Sequence, residues 1–401
     1  MKKGEMPDKQ LIIILLTILI LIIPDPANGS RTGHDDGKIK IRLRSEQKNE
    51  TIILKAVSGK FIIEVFPGFR TEVEEGKSVA LTLFENRLAC KVEGSRALVA
   101  DSVILSSTSA GCRFTLAAPG EKDERKIWSG SLSAYHDLNG LLLINECDKD
   151  DYIAGVVRAE GGPGKHPEYA RSLALITRTY TERYISRHLS DGYNLCDGTH
   201  CQVYTGLTGD TMIINAVKAT SDMVITTPDS ILINSAFHSN CGGETSPSDF
   251  VWLTSLPYLT KVRDPFCTSS RNAVWEKKLS MEEWTGALKT YGYEGPVNNP
   301  SVFIFNQPSR VMNYTAGNFS VPFNLLRTTL GLRSSWFSVS ADGDSLLLRG
   351  RGYGHGVGLC QEGALAMALK GYSYRDIISF YYQGVVILDS GYARRPPEVK
   401  K

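Results

Sequence analysis

An excess of charge of either sign is missing from this sequence. Its 45 lysines and arginines face 43 aspartates and glutamates, a formal charge of +2 at pH 7. No stripe of arginine and lysine interleaves with aromatics, so the basic footprint of a nucleic-acid partner is absent. Histidine is scarce at seven residues, and none sits in the H-E-x-x-H pattern of a zinc hydrolase. No pair of acids stands at a recognisable spacing, as a two-carboxylate glycosidase requires. Internal repeats and low-complexity tracts are also lacking. The remaining composition, 42% hydrophobic and 22% charged, is that of a folded globular chain.

Long apolar runs are absent except at the start. Lys2 and Lys3 precede the run Leu11 to Ile23, which is short of the roughly 20 residues that span a bilayer. Ala27 and Gly29 follow as an A-x-A-like cleavage site. Residues 1–29 therefore read as a signal peptide or a retained N-terminal anchor, and the rest as exported. Export permits disulfides among the eight cysteines. Cys90 with Cys112 and Cys241 with Cys267 are the expected pairs, though sequence does not fix connectivity.

What is present divides into regions. From 30 to 133, short apolar runs such as "TIILKAV" and "VALTLF" are separated by Gly, Pro and charged turns, the pattern of a β-rich domain. Residues 134–390 mix strands and helices, with a mixed segment inserted at about 275–345, and 391–401 form a polar tail. The predicted class is α+β, with "VYTG" and "ILINSAFHS" among the expected strands. A helix is expected from Pro167 through His188.

The stretch "YIAGVVRAEGG" carries the sharpest signal. Ile153, Val156 and Val157 lie seven, four and three residues before Glu160, so one helical stripe ends in a carboxylate. An apolar stripe desolvates that carboxyl and favours its protonated form, as a general acid near neutral pH requires. Arg158 points to another face. A helix-terminal Glu in solvent is the plainer alternative.

"CDGTHCQVYTG" places Cys196, His200 and Cys201 within six residues, with His188 just upstream. A small disulfide loop and a zinc site both fit, and a thiol nucleophile fits less well. "AFHSNCGGETS" and "RGRGYGHGVGLCQEGA" each set a histidine, His238 and His355, in a Gly-rich turn. No Gly-Lys-Ser/Thr follows the second turn, so a phosphate loop is a poor reading and a cleft lining a better one.

In order, "YIAGVVRAE", "ITRTY", "CDGTHCQVY", "FHSNCGG", "LPYL" and "GRGYGHGVGLCQEGA" resemble the stage II sporulation protein D family, also called the LytB amidase-enhancer type. The resemblance spans about Leu141 to Ile387. It implies a lytic transglycosylase that cleaves between N-acetylmuramic acid and N-acetylglucosamine in peptidoglycan strands stripped of stem peptides. Glu160 would be its catalytic acid/base, and a 1,6-anhydro product would form. Arg178, Gln202, Tyr204, Ser239, Gly242, Gly243, His355 and Gln361 fall at motif positions that imply substrate contact. Cys196, His200 and Cys201, with His188 as an alternative, match a motif that holds zinc in some members. No cofactor is required by that reading, and zinc would be structural. Cys241 and Cys360 depart from the family, where serine is common, and could form a disulfide with Cys267 or Cys147 or complete a metal site.

Three other roles remain from the sequence. A peptidoglycan-binding enhancer of an N-acetylmuramoyl-L-alanine amidase would work without Glu160 chemistry. A zinc-dependent hydrolase or a cysteine peptidase centred on Cys201 would depend on metal or on a free thiol.

Overall fold

The computed structural model describes residues 37–121, 126–138 and 140–397. The segment read as a signal or anchor, residues 1–29, lies outside them. The class is α+β, with a β-rich N-terminal region as expected. No helix among the described residues is long and apolar enough to cross a membrane.

Alternation builds the first half. In Thr51–Ser58 the odd–even pattern buries Ile52, Leu54 and Ala56 and turns Ile53, Lys55 and Val57 outward. That strand lies in a six-stranded sheet, beside a seven-stranded one ordered 195–196, 38–43, 140–148, 131–137, 102–107, 61–66 and 69–73. Inward residues of both sheets join one hydrophobic core with the first helices. Residue 133 falls inside the strand Ser131–Asp137, which pairs with Gly140–Asp148. The β region and the helical region are thus joined through one sheet.

The strand Gly140–Asp148 runs directly into helix α1 (Lys149–Gly161). Asp148 caps it by accepting the Asp150 N–H at 2.9 Å, and Asp150 and Asp151 place negative charge at its N-terminus. Helix α2 (Pro167–Tyr184) starts at the expected proline but stops four residues before His188. Residues 185–188 turn instead. Helix α3 (Thr211–Ala219) is capped by Asp210 and packs against both. The "VYTG" segment forms no strand, and "ILINSAFHS" keeps only Phe237–His238 as one. Upstream of it, the Leu232 N–H donates to the Arg394 carbonyl at 2.8 Å and the Ile233 N–H to the Ile225 carbonyl at 3.2 Å.

Residues 274–351 build a separate apolar cluster around Trp284, Tyr314, Phe323 and Phe337. A three-stranded antiparallel sheet of Val274–Ser280, Ser345–Arg351 and Phe337–Asp342 supports it. After this unit the chain returns to the main core through the helices Gln361–Leu369 and Tyr374–Tyr381.

Two ion pairs fasten α1 to α2, the first of them buried. Lys149 Nζ lies 2.7 Å from Glu182 Oε1, with both side chains 8% exposed. Arg178 meets Asp150 at 2.6 Å. Removing one member of a buried pair strands the other charge, at about 3–5 kcal/mol. Lys149→Met is accordingly expected to lower stability by about 3 kcal/mol. The double variant Lys149→Met/Glu182→Leu is expected to recover most of that loss, as urea unfolding will show.

Candidate active site

The stripe on α1 packs as its spacing requires: Ile153, Val156 and Val157 are at most 2% exposed, while Arg158 is exposed. Glu160, on the last turn, is half-buried at one wall of a cleft of about 520 Å³. Burial raises its pKa above the ordinary carboxylate value, and one hydrogen bond from the Val203 N–H, at 3.0 Å to Oε1, opposes the shift. Desolvation wins because a single backbone donor replaces the several waters an exposed carboxylate would hold. Among the described residues, Glu160 is the sole carboxylate lining this cleft.

Why the Val203 N–H sits there is a packing matter. Gly155, one turn and a half back on α1, leaves room for the 204–206 loop. A Cβ at Gly155 would stand 2.3 Å from the Gly206 carbonyl oxygen and 2.5 Å from the Tyr204 ring. Tyr204 is 2% exposed and stacks obliquely on Tyr152 with centroids 5.0 Å apart. Gln202 lines the cleft from the same loop. Its Oε1 accepts from Thr181 Oγ1 at 3.2 Å and more weakly from Tyr152 Oη at 3.5 Å. Its buried Nε2 has no protein partner among the described residues.

His355 lines the opposite side, with its ring between Trp252 and His238 at 5.6 Å from each. Its Nδ1 accepts the Val357 N–H at 3.0 Å. Burial, with the Arg327 charge second, pushes its pKa down to about 4, so the ring is neutral near pH 7. Arg187, Tyr180 and Tyr184 complete the wall from the end of α2. The Arg187 guanidinium lies 4.2 Å from the Tyr184 ring centroid and donates to Tyr180 Oη at 2.8 Å. Their i, i+4, i+7 spacing is helical and visible in the sequence. Trp252, the last residue of the short helix Asp249–Trp252, carries no comparable signal.

Several motif residues do not reach the cleft. Arg178 is 3% exposed and spends its guanidinium on Asp150, Thr220 and the Val217 carbonyl. Tyr204 is held in the core behind the cleft. Ser239 contributes its carbonyl to the Glu362 N–H, at 3.0 Å. Gly242 and Gly243 make a positive-φ turn against Arg351 and Thr268. Gln361 acts at one remove: its Nε2 donates to the Glu160 carbonyl oxygen at 3.1 Å and fixes the end of α1.

The expected disulfides are not formed; all eight cysteines are free thiols. Cys112 Sγ donates instead to the Lys60 carbonyl at 3.0 Å. Beside the cleft, His188, Cys196, His200 and Cys201 bring their ligand atoms within 4.8 Å of one another. Sulfur–nitrogen separations are 3.8 Å from Cys196 to His200, 3.6 Å from Cys201 to His188 and 3.6 Å from Cys201 to His200. A tetrahedral zinc with bonds of about 2.3 Å to sulfur and 2.0–2.1 Å to nitrogen implies separations of about 3.6 Å. The donor set fits that ion, and His188 completes it because α2 ends early and turns back. Cys196 is anchored from the other side, pairing in parallel with Arg42 of the large sheet.

Comparison with known proteins shows what the chain is similar to. Residues 137–227 match the family described as stage II sporulation protein. That span includes Glu160 and the Cys–His cluster, while His355 and Gln361 lie beyond it. The chain is 27% identical to stage II sporulation protein D of Bacillus subtilis over 60% of its length and 74% of that protein. It is 28% identical to an uncharacterized protein of Brachyspira hyodysenteriae, over 65% of this chain and 72% of that one. An amidase enhancer of Bacillus subtilis is 27% identical over 59% of this chain, which spans only 40% of that longer protein.

The glycine in "GVVRAE" is thus a packing residue that sets the loop above the acid. Gly155→Ala is expected to cost about 1–3 kcal/mol through overpacking. It is also expected to shift the Val203 amide resonance, read by thermal unfolding and amide NMR.

Proposed function

Since this chain carries a stage II sporulation protein domain, we propose that it acts on peptidoglycan glycan strands as a lytic transglycosylase, in the cell envelope outside the cytoplasm. One observation carries the reading: a desolvated, lone carboxyl on the wall of an aromatic-edged cleft. A hydrolase needs a second carboxylate to activate water or attack the sugar. A muramic acid substrate carries its own nucleophile in the C6 hydroxyl, so one group suffices.

Protonated Glu160 gives its proton to the glycosidic oxygen while the bond to C1 breaks through an oxocarbenium-like state. The carboxylate left behind then takes the C6 hydroxyl proton as that oxygen closes onto C1. Glu160 returns to its acid form and a 1,6-anhydro ring results. The Val203 N–H on Oε1 holds the group in one orientation and leaves Oε2 for the substrate. Gln202 lines the same cleft, and the exposed Trp252 offers an aromatic face for a sugar ring. Neutral His355 adds no charge to compete for the proton.

Zinc at His188, Cys196, His200 and Cys201 is proposed as structural. Four protein ligands leave no open position for substrate. These residues would pin the loop that presents Gln202 and Val203. Catalysis requires no cofactor on this account.

The test is digestion of stem-peptide-free glycan by the mature protein and by Glu160→Gln, read by mass spectrometry. The expected products are lighter by one water than hydrolysed fragments. Their rate of formation is expected to fall by about 10²–10⁴ in the variant. Binding without cleavage by either protein would replace the reading with that of an enhancer working through a partner N-acetylmuramoyl-L-alanine amidase.

A further inference from the structure

The chain holds a second group of metal-ligating side chains, apart from the one beside the cleft. Cys241, Asp264, Cys267 and Cys360 come from three separate segments, and their ligand atoms lie within 4.8 Å of one another. All four residues are fully buried. Cys241 Sγ is 3.1 Å from Asp264 Oδ2 and 3.3 Å from Cys267 Sγ. Asp264 and Cys267 are spaced D-x-x-C, the C-x-x-C knuckle of zinc sites with a carboxylate replacing one thiolate.

We propose that these four side chains bind a structural zinc ion with a Cys₃Asp ligand set. A disulfide between Cys241 and Cys267 would use two sulfurs and leave Cys360 and Asp264 buried with no shared purpose. The surroundings favour ligands in anionic form. Cys360 Sγ accepts the Cys241 N–H and the Gly363 N–H, both at 3.3 Å, at the start of the helix Gln361–Leu369. Asp264 Oδ2 accepts from Tyr381 Oη at 2.9 Å and Oδ1 from the Phe266 N–H at 2.8 Å, outer contacts of the kind that orient a metal-bound carboxylate. Three thiolates and a carboxylate around Zn²⁺ total −2. The buried guanidinium of Arg310, which donates to the Cys241 carbonyl at 2.8 Å, stands against that charge.

The site is closed, with four protein ligands and no open coordination position, so its role is to clamp. It ties the "SNCGG" turn and the 264–267 loop to the residue before Gln361. Gln361 in turn holds the Glu160 carbonyl. The metal therefore fixes the far wall of the cleft relative to the acid.

The experiment is zinc content and thiol state of the mature protein, purified anaerobically in the presence of Zn²⁺. Cys267→Ser is expected to lower zinc by about one equivalent per chain whatever the first cluster holds. Cys196→Ser/Cys201→Ser is expected to retain about one equivalent. Should a variant fail to fold, the wild-type protein decides alone. Cys241, Cys267 and Cys360 are expected to resist alkylation until a chelator and denaturant are added, and then to react as unlinked thiols. A non-reduced peptide joining Cys241 to Cys267 would overturn the proposal, as would an unchanged zinc content in Cys267→Ser.

Discussion

The structure turns on how the last turn of α1 is kept from water. A carboxyl there would ordinarily fray into solvent. It is instead closed in by the 201–204 loop, the end of α2 and the Gly-rich turn at His355. Each of these elements is positioned by something else that the fold must get right. Gly155 admits the loop, the Cys–His cluster ties its base, and Gln361 secures the helix end. The large sheet supplies the floor, since its strand Gly140–Asp148 leads without a break into the helix that ends in Glu160.

Two cysteine-containing clusters adjoin that arrangement. One gathers residues from the turn after α2 and the 196–201 loop. The other gathers the 241, 264–267 and 360 segments. The segments so joined have little regular secondary structure: Leu195–Cys196, Phe237–His238 and Leu359–Cys360 are two-residue strands. Loops of this kind have few backbone hydrogen bonds with which to hold side chains to sub-ångström positions. Side-chain clusters do that work where the ladder stops, and a bound ion would do it more rigidly than thiols alone.

Much of the site was legible in the sequence because local periodicity carries it. The stripe of Ile153, Val156 and Val157 leading to Glu160 needs only a helix of ordinary pitch. The Cys196–Cys201 run brings its ligands together by proximity along the chain. What eluded the sequence depends on partners far away in it. Arg178 sits in a motif but meets Asp150, 28 residues upstream, and is drawn into the core. Tyr204 lies in an apolar run that reads as a strand, yet its ring is wedged against Tyr152. Gln361 reaches back 201 residues to a backbone carbonyl. Cys241 and Cys267 look like a disulfide pair until folding brings Cys360 and Asp264 to the same point.

The central claim is that burial keeps Glu160 protonated where a free glutamate has ionised. The folded value is raised, so the native state retains a proton that the unfolded chain has lost. This group's contribution to stability therefore falls as pH rises from the unfolded value through the folded one. The direct measurement is a ¹³C NMR titration of the glutamate side-chain carboxyls in the substrate-free protein, with Glu160→Gln to assign the resonance. The account predicts an inflection for Glu160 above the ordinary value of about 4.3. An inflection at or below that value would mean the cleft stabilises a carboxylate, and the acid role would fail.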